Sequence, residues 1–461
     1  MSSPIAQPVM ERSQVRIVPL SELTVPKVDQ RGPEGFGEFT YVDISSIDNR
    51  LKKIVDPKHL PVTVAPGRAR QRLKTGDVIV SMTRPNLNAV ALVPPELDGA
   101  IASTGFDVLR ATDGINCRWI YYAVQTSEFV RDMSQLVQGA LYPAVRPKDI
   151  RRYQIPVPDE KQQCEIVAEI EKQFSRLDEA VANLNRVKAN LKRYKAAVLK
   201  AAVEGKLTEE WRKTYPDVEP ASELLRQIVA ERRAKWKGRG KYKEPALLDS
   251  ANLPSLPDSW AWTTLDSLLR EPLRNGHSAK ATGTGMGLRA FTLSAVTEGD
   301  FSERNTKLTV ADASNVTDLW AEPGDIFVER SNTPELVGIA RLYRGPKGFA
   351  FIPDLLIRVR LLSQVSPRFV ELCLLSERGR NYFRSRAQGI SGSMPKIDQA
   401  VVETAPIPIA PLLEQESIVS EVDRRFSIIE RFEGAVNGNV NRADRLRDVV
   451  LKSAFAGRIV G

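Results

Sequence analysis

Apolar residues recur along residues 160–204 at Ile166, Ile170, Phe174, Leu177, Val181, Leu184, Val187, Leu191, Tyr194 and Val198. Spacings of three and four, sustained over this length, describe the seam of a coiled coil. Asp159 is a suitable N-cap with Gln162 placed to complete a capping box, and Gly205 supplies a left-handed stop. At about 1.5 Å per residue such a helix spans on the order of 68 Å. A narrow stripe on so long a rod requires a second long helix to cover it. The chain supplies one: Ile418, Val422, Phe426, Ile429, Phe432, Val436, Val440, Ala443, Leu446 and Val450 repeat the pattern, with Pro411 near the first turn. Gly434 and Gly438 interrupt this second seam, marking either a close helix approach or a weaker rod.

The two rods are copies. Gln163/Gln415, Ile166/Ile418, Phe174/Phe426, Leu199/Leu451 and Gly205/Gly457 all stand 252 residues apart, without a gap. Loops tolerate insertions, so a length kept this strictly is set by geometry.

The rest of the chain alternates short β-prone runs with turn residues. Residues 39–42, 78–82, 89–93 and 106–109 read as strands, and 119–136 as a helix with Trp119, Ala123, Val130 and Met133 on one face. After the first rod the chain turns polar and basic, with a short amphipathic helix at 221–236 running into Lys235-Trp236-Lys237-Gly238-Arg239-Gly240-Lys241-Tyr242-Lys243. A second globular segment starts at Trp260. It echoes the first: Gly324-Asp325-Ile326-Phe327-Val328 follows Gly76-Asp77-Val78-Ile79-Val80 by 248 residues, and Pro395 follows Pro143 by 252. The expected organisation is a first head at 1–150, a first long helix at 151–207, a basic linker at 208–259, a second head at 260–403 and a second long helix at 404–461. The fold class is α+β: two mixed α/β domains separated by two long antiparallel coiled-coil helices, with a pseudo-two-fold internal repeat. Antiparallel rods predict two different heads held at a fixed distance, of the order of two turns of B-DNA, which suits a bipartite, non-palindromic site.

Composition narrows the choice of partner. The 461 residues carry a formal net charge of +9, which favours an anionic partner, nucleic acid first. No apolar run approaches the roughly 18 residues of a membrane span, and residues 1–16 lack a signal-peptide pattern. A cytoplasmic protein, associated with the nucleoid through DNA, is expected. Three scattered cysteines and two histidines give neither a disulfide framework nor metal-site spacing.

Candidate chemistry is sparse. Gly283-Thr284-Gly285-Met286-Gly287 lacks the strand before and helix after that a cofactor loop needs, and reads as a flexible loop. There is no phosphate loop and no Asn-Pro-Pro-aromatic or Asp-Pro-Pro-aromatic tetrapeptide of amino-methyltransferases. No catalytic residues, metal ligands or cofactor bound by this chain are expected. DNA-contact candidates lie in polar loops. In the first head Arg84, Asn86 and Asn88 follow a strand, and Arg and Asn bond guanine and adenine edges. Arg330 and Asn332 occupy the matching place in the second head. Further candidates are Tyr142, Arg146 and Lys148, Arg274 and Asn275, and Ser391, Ser393 and Lys396. Arg186, Lys188, Lys192 and Arg193 on the first rod face solvent or track phosphates.

The chain resembles the specificity subunits of Type I restriction–modification systems over nearly all its length. Ile155-Pro156-Val157-Pro158 leading to Gln162-Gln163-Cys164-Glu165-Ile166-Val167, the counterpart from Pro408 to Val419, and the rod ending Ala197 to Arg212 carry the likeness, with Leu273-Arg274-Asn275-Gly276 in the second head. The resemblance implies a non-catalytic, DNA-reading subunit with two target-recognition domains. It also implies two methyltransferase subunits as partners, using S-adenosylmethionine to methylate adenine at N6, and ATP- and Mg-dependent restriction subunits. The sequence departs from the family at Lys161-Gln162, where an acidic residue often precedes Gln, and the Thr-x-x-Trp-Arg tail of the first rod has no counterpart after the second. Two alternatives stand beside this reading: a self-contained DNA-modifying enzyme, and a coiled-coil scaffold.

Overall fold

The computed structural model describes residues 15–137, 143–235, 242–249, 253–283, 285–389 and 394–458. Both rods are continuous helices of 44 residues, Glu160–Val203 and Leu412–Phe455. Asp159 caps the first by accepting the Gln162 N–H at 2.8 Å. Gly205 ends it at φ +71°, where a Cβ would meet the Pro257 ring at 2.7 Å, so both conformation and space require glycine.

The chain divides into two compact units, Met1–Arg186 with Val436–Gly461, and Val187–Ala435. Each unit joins one head to the start of its own rod and the end of the other. In the first, Ile166, Val167 and Ile170 share a core with Val450, Leu451, Ala454 and the head residues Trp119, Phe129 and Ile150. In the second, Val198, Ala202 and Val203 share a core with Ile418, Val422, Phe426 and Ile429. Within each unit the rod segments therefore run antiparallel.

The heads are built on one frame. The strand Gln154–Val157 that leads into the first rod pairs antiparallel with Arg16–Pro19, and Pro406–Ile409 pairs with Ala261–Thr264 in the same way. A central antiparallel sheet follows, with Val78–Ser81 between Phe106–Leu109 and Val90–Leu92 in the first head. In the second, Ile326–Glu329 lies between Leu356–Val359 and Ala340–Leu342. The repeated Gly-Asp motif sets the entry to the central strand. Asp77 is buried, accepts the Lys74 N–H at 2.8 Å and takes the Arg110 guanidinium at 2.8 and 2.7 Å. Asp325 does the same with the Glu322 N–H at 2.9 Å and Arg360 at 2.6 and 3.1 Å. Gln163 and Gln415 fasten each head to its rod. The Oε1 of Gln163 accepts the Asn116 N–H at 2.9 Å and that of Gln415 the Ser366 N–H at 3.0 Å, while the amides donate to Pro158 and Ala410 carbonyls. Cations cover equivalent rings on the rods: Arg447 over Phe174 at 4.9 Å, and Lys195 over Phe426 at 4.8 Å.

Three expectations are corrected. The helix foreseen at 119–136 is two, Cys117–Ala123 and Ser127–Gln135, because Thr126 turns the chain: its hydroxyl donates to Ala123 O at 2.8 Å and accepts the Phe129 N–H. The helix of the basic stretch, Ala221–Lys235, is no free linker; Ala221, Leu224 and Ile228 enter the second unit's core and Arg232 pairs with Asp266 at 2.5 Å. Most of the basic run after it lies outside the described residues. The seam is buried only in part. Phe432 is 56% and Leu446 44% exposed, and Val187 and Tyr194 are also exposed, whereas Val422, Ile429, Val436, Ala443 and Val450 are buried at seven-residue intervals. One facing helix covers a single line of positions, and the flanking apolar residues stay open. At Gly434 and Gly438 no atom lies within 4 Å of where a Cβ would stand, so close helix approach does not explain them.

Candidate nucleic-acid interface

In the first head the central strand ends at Ser81, and the chain enters a short 3₁₀ turn, Pro85–Leu87, flanked by Arg84 and Asn88 in left-handed conformations. Proline at the first position of the turn keeps Arg84 out of the right-handed helical region. The exposed side chains here are Arg84, Asn86 and Leu87. Asn88 is turned inward. It is buried, its carbonyl accepts the Lys52 ammonium at 2.5 Å, and its Oδ1 has no partner among the described residues. Burial pushes Lys52 down to about 8. Asn88 thus closes the turn and does not offer its amide at the surface.

The second candidate segment of this head comes directly alongside. Thr83 bridges to Ala144, Arg84 N–H donates to Pro143 O at 2.8 Å and Val145 N–H to Met82 O at 2.9 Å. Arg146 and Lys148, both exposed, start the helix that follows, with Arg146 N–H on the Asp149 carboxylate at 3.0 Å. Tyr142 lies outside the described residues.

The second head repeats the pairing. Ser331 bridges to Lys396 and Ile397 N–H donates to Arg330 O at 2.9 Å. The loops correspond 248 residues apart and the segments beside them 252 apart, so Thr83/Ala144 and Ser331/Lys396 are the same contact made twice. In this frame Arg84 corresponds to Asn332, and Arg330 to Met82. Arg330 is half-buried and Lys396 exposed; Ser391 and Ser393 lie outside the described residues. Asn332 is held: its amide donates to Glu329 Oε2 at 2.7 Å and its Oδ1 accepts the Thr333 N–H at 2.8 Å. Glu329 is fully buried, also accepts the Thr297 hydroxyl at 2.5 Å, and burial raises its pKa. Arg274 and Asn275 are exposed on an edge strand beside Leu356–Val359, with Asn275 Oδ1 accepting from Gln399 at 3.1 Å. The structure therefore gathers Arg84, Asn86, Arg146 and Lys148 on one edge, and Arg330, Asn332 and Lys396 on its counterpart. Sequence reasoning missed Glu329, although the paired offsets were a signal for the two-segment edge.

Cys117, Cys164 and Cys373 are free thiols. Among the described residues no helix is long and apolar enough to cross a membrane, and no group of three or more His, Cys, Asp or Glu is placed to hold a metal.

These features define a protein of two α+β heads on one frame, each docked on a long coiled-coil helix and each presenting a polar two-segment edge. No protein-family model matches the chain. It is 24% identical over 397 residues to the Type I restriction enzyme EcoKI specificity subunit of Escherichia coli (strain K12), covering 84% of this chain and 76% of that one. It is 23% identical over 401 residues to the StySPI specificity subunit of Salmonella potsdam, with the same coverage. Among solved structures, one from work on complex assembly and conformational transition of the type I R-M system aligns at TM-score 0.66 and 25% identity, over 96% of this chain and 98% of that one. The HsdS subunit from Thermoanaerobacter tengcongensis shares the fold, at TM-score 0.50 and 24% identity over 96% and 97%. In sequence and in fold the chain is similar to the specificity subunits of Type I restriction–modification systems over most of its length. The relatives are specificity subunits of Type I restriction enzymes.

Proposed function

We propose that this chain reads a bipartite, asymmetric double-stranded DNA target, one half-site per head. It directs two adenine-N6 methyltransferase subunits, and ATP-dependent restriction subunits, to that target in the cytoplasm. S-adenosylmethionine, ATP and Mg belong on those partners. One observation carries the reading: the same two-segment edge is built in both heads, yet its side chains differ. Arg84 stands where the other head has Asn332, and Met82 where it has Arg330. Arg favours guanine and Asn adenine, so a common frame with different residues suits two unlike half-sites. Arg146, Lys148 and Lys396 beside these loops supply cations for phosphates.

Hydroxyl-radical footprinting of the full chain, assembled with its modification partners, tests the reading. Two short protected blocks separated by an unprotected spacer are expected. One continuous block, or no defined protection, contradicts it.

A further inference from the structure

Two loop tips carry a large apolar side chain that no core takes in. In the first head Gly35-Phe36-Gly37 immediately precedes the strand Glu38–Val42; in the second, Gly285-Met286-Gly287 immediately precedes Leu288–Phe291. The tips are equivalent. They stand 250 residues apart, and each following strand runs parallel to the same neighbour, Tyr41 against Ile101 and Ala290 against Phe351. All four glycines have positive φ: +86° and +124° in the first tip, +73° and +147° in the second. Such a backbone excludes ordinary side chains, so the residue between the glycines is held out on an arch. Phe36 is fully exposed and Met286 is 78% exposed. Neither touches a core, although the heads share little other sequence between their anchors. Packing therefore explains neither the apolar side chain nor its repetition.

The loop that carries each tip is braced by segments that also support the edge described above. In the first head a Cβ on Gly32 would meet the Ala69 carbonyl at 3.2 Å and the Arg70 side chain at 3.6 Å, Thr104 N–H donates to Arg68 O at 2.9 Å, and Met82 N–H donates to Gly105 O at 2.9 Å. In the second, Arg330 N–H donates to Leu355 O at 2.8 Å and His277 N–H to Ile352 O at 3.0 Å; Thr282, further along the chain towards the tip, donates to Leu308 O at 2.9 Å. The bonds Met82–Gly105 and Arg330–Leu355 are again one contact made twice. Glu34 and Glu38 flank the first tip, so what it offers is not phosphate attraction but an apolar side chain.

We propose that Phe36 and Met286 are paired wedges that enter duplex DNA at a base step beside each half-site and unstack it. Phe and Met are side chains that insert between base steps from the minor groove, where the unstacked step bends the duplex onto more protein surface. Gly35, Gly37 and Gly285 have open space around them for a close approach, while Gly287 lies against the Thr309 carbonyl of its own head. This rests on the DNA-reading role proposed above.

The test uses the full chain assembled with its modification partners and target duplexes carrying 2-aminopurine beside one half-site or the other. The wild-type complex is expected to raise 2-aminopurine fluorescence at both places. Phe36→Ala should abolish the rise at the first half-site only and Met286→Ala at the second only. Each should weaken binding by roughly ten- to a hundredfold, the worth of burying one large apolar side chain, and leave the melting temperature unchanged. A wild-type complex that binds its target without unstacking, or variants that unstack like wild type, overturns the wedge while leaving DNA reading intact. Variants that lose their partner subunits yet still unstack DNA overturn it in favour of a protein contact. Absence of any defined binding by the wild type removes the DNA-reading role itself.

Discussion

Asp77 and Asp325 each do two jobs with one carboxylate: closing the turn before the central strand and holding a guanidinium from the neighbouring strand's end. Removing one partner of such a buried pair leaves the other charge uncompensated, at a cost of about 3–5 kcal/mol. Asp325→Ala should therefore destabilise the second unit by about that amount in a denaturant titration; a loss below about 1 kcal/mol would place the pair among surface ion pairs. The motif itself was legible in the sequence because it occurs twice. Its arginine partners were not, since Arg110 and Arg360 lie over 30 residues away in ordinary surroundings. Glu414 shows the same limit. It is fully buried and accepts from Thr208 at 2.7 Å, Arg212 at 2.5 Å and Trp260 at 2.9 Å. The Thr-x-x-Trp-Arg tail was visible in the sequence, but that its Thr and Arg close on a carboxylate about 200 residues later was not. The first rod has Gln162 at the position of Glu414, so that departure from the family pattern falls on a residue whose counterpart has a specific local task.

Among elements, helix length and caps were readable because they depend on neighbours in sequence. Which residues of the seam are buried was not, because that depends on how many helices cover it. A pattern of threes and fours marks the whole seam; the residues buried all along it are the seven-residue series from Val422 to Val450, joined near the head by Ile418 and Phe426. The strands Gln154–Val157 and Pro406–Ile409, assigned from sequence to the long-helix segments, sit in two-stranded ladders that tolerate their prolines. Gly434 and Gly438 are helical, exposed and without neighbours where a side chain would go. Replacing both with Ala should raise the unfolding free energy by about 1 kcal/mol each. An unchanged or lowered value would show that the second rod needs its loose turn.

For the whole chain, duplication is the source of nearly everything legible. The gap-free rods and the two Gly-Asp strands exposed the repeat, while the heads' shifting offsets of 248, 250 and 252 concealed that their edges and tips are the same constructions. The residues that differ on that shared frame are the ones assigned to reading, and exchanging a head should exchange its reading. Mapping N6-methyladenine genome-wide in cells whose only specificity subunit carries a relative's head in place of residues 1–150 measures this directly. The account predicts a methylated motif with one half-site changed, the other half-site retained and the same spacer between them. A motif changed in both halves, or in neither, would contradict it.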